Sequence, residues 1–159
     1  MADWKVRGIR SDEIPCLQEF LYEAIFIPEG EEPPDRDILE KPELKVYTED
    51  FGSRGGDLCL IAESGGKPVG AVWTRIMQDY GHVDDATPSL AISLFREYRG
   101  KGIGTELMRG ILKELKQQGF MRVSLAVQKA NYALRLYEKA GFRIIGGNAE
   151  EYIMVCDLR

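Results

Sequence analysis

The amino-acid sequence predicts a single α/β (α+β) domain over residues 1–159. Three observations carry that reading. Period-two hydrophobic stretches alternate along the chain with stretches of helical spacing. A hairpin pattern closes around Ser64-Gly65-Gly66-Lys67. Leu90 to Leu115 passes from a strand pattern through a glycine-rich turn into an amphipathic helix. A chain of 159 residues, 44% hydrophobic and 30% charged, suits one core and excludes wholesale disorder.

Each element follows from local chemistry. Trp4, Val6 and Ile9 set a first strand. Ser11 or Asp12 caps the next helix, whose face is Ile14, Leu17, Leu21, Ala24 and Ile25; Pro15 is tolerated in its first turn, and the helix ends near Phe26. Pro28, Gly30, Pro33 and Pro34 then interrupt any regular pattern, with short helical turns expected at 35–39 and 44–51. Glu29, Glu31, Glu32, Asp35 and Asp37 make this segment acidic, the ordinary sign of a solvated connection. Asp57 to Glu63 and Pro68 to Met77 are the hairpin strands. A loop from Gln78 to Pro88 carries Tyr80, the sole histidine His82, and the pair Asp84 and Asp85. In the strand Ser89 to Phe95, Leu90, Ile92 and Leu94 alternate with Ala91 and Ser93. Ile103, Leu107, Met108, Ile111, Leu112 and Leu115 share one face of the following helix, which Gly119 closes. Val123, Leu125 and Val127 form another strand. Asn131 caps a helix that stops at Ala140 and Gly141, and strands near 142–145 and 152–158 end the chain.

The turn Arg99-Gly100-Lys101-Gly102-Ile103-Gly104-Thr105 is the strongest functional signal. Its glycines let a ligand reach the backbone, and the first amides of the new helix lack intrahelical acceptors. With the helix dipole and two cations beside them, those amides form a site for a phosphate or pyrophosphate. A P-loop is excluded because Gly104 is followed by Thr105 and Glu106, and the dinucleotide fingerprint because Leu107 stands where its third glycine belongs.

Composition excludes further classes. A net charge of -5 disfavours a general nucleic-acid binder. Cys16, Cys59 and Cys156 lack metal-ligand spacing and read as reduced thiols, so no metal is expected. No apolar run reaches the length of a membrane span and residues 1–10 lack a signal-peptide core, so a cytoplasmic protein without a membrane partner is expected.

Arg-x-x-Gly-x-Gly after a strand, at Arg99, Gly102 and Gly104, resembles the acyl-coenzyme A motif of the GCN5-related N-acetyltransferase (GNAT) superfamily. The stretch Asn131 to Phe142 is similar to that superfamily's Asn-x-x-Ala/Ser-x-x-Leu-Tyr-x-Lys-x-Gly-Phe pattern, with Leu134 at the small-residue position. The resemblance implies a GNAT fold: a mixed central sheet of about seven strands with flanking helices, splayed between the fourth and fifth strands. It implies acetyl-CoA as co-substrate, held by Arg99, Gly100, Lys101, Gly102, Ile103, Gly104 and Thr105 at the pyrophosphate. Ile92, Leu94 and Phe95 lie along the pantetheine arm, with Asn131 and Tyr137 from the last helix. Tyr137 is the implied acid for the departing thiolate. Many relatives carry a base glutamate where this chain has Ser89, so Asp84 and Asp85 are the candidate bases, with His82 a minor one. Arg96 stands where many relatives have proline. The implied acceptor is a small-molecule or peptide amine, and the acidic segment falls in the region that shapes the acceptor pocket. A homodimer is common in the superfamily. The alternative is an acyl-CoA-binding or sensing module without efficient catalysis.

Overall fold

The computed structural model describes residues 3–158. Its strands are β1 (Trp4–Gly8), β2 (Leu58–Ser64), β3 (Lys67–Arg75), β4 (Ser89–Leu94), β5 (Arg122–Gln128), β6 (Arg143–Gly147) and β7 (Glu151–Asp157). They form one seven-stranded mixed sheet in the order β1-β2-β3-β4-β5-β7-β6. Every neighbouring pair is antiparallel except β4 and β5, which are parallel. The helices are α1 (Leu17–Ala24), the single turn α2 (Pro42–Lys45), α3 (Ile103–Gln117) and α4 (Leu134–Ala140).

Alternation along the strands divides the apolar residues between two cores. Val72, Leu90, Val123, Leu125 and Val127 face α3 and α4, packing with Ile103, Leu107, Ile111 and Tyr137. Ile61, Ala71 and Trp73 point to the other face, where Leu17, Phe20 and Leu21 of α1 cover them. The period of two in the strands and the amphipathic spacing of α3 therefore meet as predicted.

Two boundaries differ from the expected ones. The first helix opens as a 3-10 turn over Ser11–Cys16, and α1 begins only at Leu17. Pro15 lies inside that turn and has no N–H to donate to an α-helical ladder. Neither Ser11 nor Asp12 is the cap. Arg10 takes that position, and the Glu13 carboxylate accepts its N–H at 2.9 Å. The second expected turn starts earlier, at Pro42, where a fixed φ suits a first helical position.

The register of β4 positions the site. The Phe95 N–H donates to the Val69 carbonyl at 3.0 Å, continuing the pairing of Leu94 with Gly70. Partners in an antiparallel ladder alternate between bonded and non-bonded, so Leu90, Ile92 and Leu94 turn their own N–H and C=O away from β3. On that side stands β5, which meets β4 at a single rung, Ser89 opposite Ser124. There the Ser124 N–H donates to the Pro88 carbonyl at 2.9 Å. Beyond the rung the two strands part, leaving the β4 edge free along a cleft that opens toward Leu94.

Candidate active site

The wide end of the cleft meets the start of α3. Gly100 and Gly102 have φ of 75° and 86°, in the left-handed region, and Gly102 is the N-cap. The Glu106 N–H is the first to bond inside the helix, to the Gly102 carbonyl at 3.2 Å. The amides of Ile103, Gly104 and Thr105 precede it and point out of the first turn. A Cβ on Gly104 would lie 3.5 Å from Leu136 of α4 and 3.7 Å from Leu94 of β4. The three segments predicted to hold the coenzyme thus converge on this glycine.

The two cations differ in what they do. The Arg99 Nε donates to the Leu94 carbonyl at 3.0 Å, and its guanidinium faces the Glu23 carboxylate at 3.5 Å. Arg99 therefore clasps the β4 edge. Lys101 stands over the Tyr98 ring, 5.6 Å from its centroid, with its ammonium beside the helix start. The Phe95 N–H is bonded to β3, and its ring stacks on Phe20 at 4.8 Å. The N–H groups of Ile92 and Leu94 stay free on the β5 side, while the Leu94 carbonyl is taken by Arg99.

Asn131 stands six residues before Tyr137, one fewer than in the asparagine-to-tyrosine pattern it resembles. Its side-chain oxygen accepts the Ala133 N–H at 2.9 Å, shaping the turn into α4, which starts at Leu134 rather than at Asn131. Tyr137 lies in α4 on the α3 side of the sheet, its ring edge-on to Phe142 at 6.0 Å. It is 9% exposed, and burial pushes its pKa up to about 12. Among the described residues nothing hydrogen-bonds its hydroxyl.

The two expected bases lie in different surroundings. Asp84 lies at the closed end of the cleft, fully engaged: it accepts from the Thr87 hydroxyl at 2.8 Å and the Ala86 N–H at 2.9 Å, and it pairs with Arg122 of β5. Those hydrogen bonds, with the guanidinium beside them, hold it below the usual carboxylate range, which weakens it as a base. The Asp85 side chain is 90% exposed and meets only the His82 ring, at 3.3 Å. The Nδ1 of His82 is buried without a partner and its Nε2 lies 3.3 Å from the Gln78 amide nitrogen, so the ring is tied to its own loop.

Sequence reasoning missed Asp79. The Ser89 hydroxyl donates to its Oδ1 at 2.8 Å and the Tyr47 hydroxyl to its Oδ2 at 2.9 Å. A carboxylate thus stands against the residue that replaces the strand glutamate. The sequence signal was faint: an acid four residues beyond β3, in a loop rich in acids. Across from it on β7 lies Glu151, which burial and then the charges of Glu150 and Asp79 raise above the usual carboxyl range. The acidic segment is exposed at Glu29, Glu31, Glu32, Asp35 and Asp37. It is fastened to α1 by Arg36, which pairs with Glu19 and covers the Tyr22 ring at 4.9 Å.

The chain is similar to known proteins in sequence and in fold. The chain is 29% identical over 111 residues to N-acetyltransferase 8B of Homo sapiens, covering 69% of this chain and 49% of that protein. It is 32% identical over 112 residues to N-acetyltransferase family 8 member 7 of Mus musculus, covering 70% and 49%. The chain spans about half the length of these curated relatives. Its fold matches the PaiA N-acetyltransferase from Thermoplasma acidophilum, solved in complex with coenzyme A, with a TM-score of 0.72 over 99% of each chain at 21% identity. A family model described as Acetyltransferase (GNAT) family matches residues 19–142, which takes in α1, the splayed strands, the glycine turn and α4. With that match over most of its length, the chain belongs to the GNAT acetyltransferase family.

Proposed function

We propose that this chain moves an acyl group, an acetyl group in the first instance, from acyl-CoA to a primary amine by direct attack on the thioester. The observation that carries the reading is the convergence on Gly104 of the open α3 amides, Leu136 of α4 and Leu94 at the free edge of β4. A pyrophosphate suits amides at a helix N-terminus. The pantetheine arm carries its own amides, which pair with a strand edge as another strand would. In this reading the Leu94 edge carries the pantetheine arm, and the free N–H of Ile92, further toward Ser89, stabilises negative charge on the carbonyl oxygen. Tyr137, protonated at neutral pH, donates to the departing thiolate.

The acceptor is a small-molecule or peptide amine. The net charge of -5 and the exposed acids of residues 29–37 support a cationic one, since a negative surface concentrates cations near the cleft. A thiol-release assay with acetyl-CoA and a panel of polyamines, aminoglycosides, amino acids and peptide N-termini tests the reading. Release coupled to acylation of at least one amine is expected. Coenzyme binding with no amine ever acylated would sink it, and would favour a sensing module.

A further inference from the structure

We propose that Asp79 takes the proton of the attacking amine, from the face of the sheet opposite Tyr137, with Ser89 as the residue that positions it. The inference rests on the acyl-transfer reading above and names a group which that reading leaves open.

Asp79 is mounted on a loop held from two sides. Its loop is tied to β5, since the buried Ser124 hydroxyl donates to the Gly81 carbonyl at 2.8 Å and a Cβ on Gly81 would lie 3.0 Å from the Ala126 nitrogen. Through Ser89 the carboxylate is tied to β4. Asp79 therefore straddles the point where the two strands part. Ser89 and Ala91 face the α1 side, whereas Leu90 and Tyr137 belong to the α3 side. From Leu94 to Ser89 is five strand steps, roughly 17 Å at about 3.3 Å each, and an extended pantetheine arm covers that reach. A thioester carried down the β4 edge from the α3 amides comes to lie with Tyr137 on one side of the sheet and Asp79 on the other.

The hydrogen bonds to Asp79 also set it apart. Both come from neutral hydroxyls, Ser89 and Tyr47, so its charge has no cation against it among the described residues. Other engaged carboxylates of the chain do have one: Asp57 is paired with Arg75 at 2.9 Å, Asp84 with Arg122, and Glu13 and Glu63 with Arg7. Glu151 shares the throat, but burial favours its neutral form. An arriving ammonium meets Asp79 as the open acceptor.

The step balances. The arriving ammonium first gives a proton to Asp79, which frees the nitrogen lone pair; the neutral amine then bonds to the carbonyl carbon and the second proton of the nitrogen passes to water. The carbon–sulfur bond breaks as the Tyr137 hydroxyl proton passes to sulfur. Asp79 then releases a proton to solvent and Tyr137 regains one, leaving an amide and a free thiol.

The test compares two nucleophiles on the purified chain with acetyl-CoA: a primary alkylamine, largely protonated at pH 7, and hydroxylamine, which is neutral there. Asp79→Asn keeps the size of the side chain. It is expected to lower kcat for the alkylamine about 100-fold while the hydroxylamine rate stays within about threefold. The KM for acetyl-CoA should not move, and Asp79→Glu should restore part of the loss. An equal loss with both nucleophiles would make Asp79 structural, and no loss with either would remove it from the reaction. If Asp79→Asn melts early, Ser89→Ala carries the same comparison by releasing one of the two hydroxyls, and an equal loss there again overturns the inference. Wild-type protein that binds the coenzyme but acylates neither nucleophile would overturn the acyl-transfer reading together with this one. An active wild type indifferent to Asp79→Asn overturns this one alone.

Discussion

Tyr137 holds a proton that no neighbour among the described residues uses. Its ring accounts for its packing, edge-on to Phe142, and its hydroxyl accounts for nothing structural. Tyr137→Phe should therefore leave the melting temperature almost unchanged, within about 0.5 kcal/mol of stability. Turnover should fall about 100-fold without a change in coenzyme affinity. Equal turnover in the two proteins would exclude Tyr137 as the acid. Two glycines of the turn separate folding from binding in the same way. Gly102 has φ 86°, so Gly102→Ala should cost roughly 1–2 kcal/mol in stability. Gly104 lies in the helix, and its new Cβ would make only ordinary contacts at 3.5 and 3.7 Å. Gly104→Ala should melt no earlier than wild type yet bind coenzyme A more weakly, because the methyl crowds the first-turn amides. An unchanged coenzyme Kd for Gly104→Ala would show that those amides are not the cradle.

At the scale of elements, the loop between β3 and β4 is a structural member with a chemical tip. Gly81 lets it lie directly on the β5 backbone, with 3.0 Å and 3.1 Å to the Ala126 nitrogen and Leu125 carbonyl carbon from any added Cβ. Backbone cannot rotate aside as a side chain does, so Gly81→Ala should lift the loop, cost about 1–3 kcal/mol, and carry Asp79 away from Ser89. Melting temperature and alkylamine turnover should fall together. Loss of stability with full turnover would show that the reaction does not depend on where this loop sits. The same loop marks what was legible in the sequence. The α3 turn could be read because its chemistry is contiguous: strand, glycines, cations and helix lie within about thirty residues. Asp79 could not, because its partners are Ser89, ten positions on, and Tyr47, 32 positions back, and only the fold makes them neighbours. Ser89 read as a missing base, whereas its hydroxyl orients one. Asn131 read as the cap of α4, but Ala133 holds that position and the Asn131 side chain shapes the turn before it.

For the molecule as a whole, the mixed sheet and its two cores were legible because period-two and helical patterns separate cleanly. The helix boundary at Pro15 was not, because a missing N–H acts on hydrogen bonding rather than on hydrophobic spacing. The charged network that fastens this first segment to the sheet carries a prediction on pH. The Arg7 guanidinium bonds Glu13 of the 3-10 turn at 2.7 and 2.8 Å and Glu63 of β2 at 2.7 Å, so one residue of β1 ties three elements together. Hydrogen bonding to Arg7 outweighs the opposing effect of burial and lowers the Glu13 pKa to about 2. A folded-state value below the unfolded one means that the carboxylate stabilises the fold above the ordinary carboxyl range, near 4.3. That stabilisation should drain away as pH falls from there toward 2. At the other end, burial raises the Cys59 thiol, so its contribution is complete below the ordinary thiol range and declines as pH climbs through it. Urea midpoints measured across pH should therefore describe a plateau between these limits. Glu13→Gln should lower the plateau and flatten its acid limb, since the variant has no proton to gain at that position. An acid limb of unchanged slope in Glu13→Gln would place the acid sensitivity elsewhere, with Asp57 the next carboxylate to test: burial is the largest single effect on it and raises its pKa, but the hydrogen bonds from Arg75 and from the Arg54 and Gly52 N–H groups, with the Arg75 charge, together lower it.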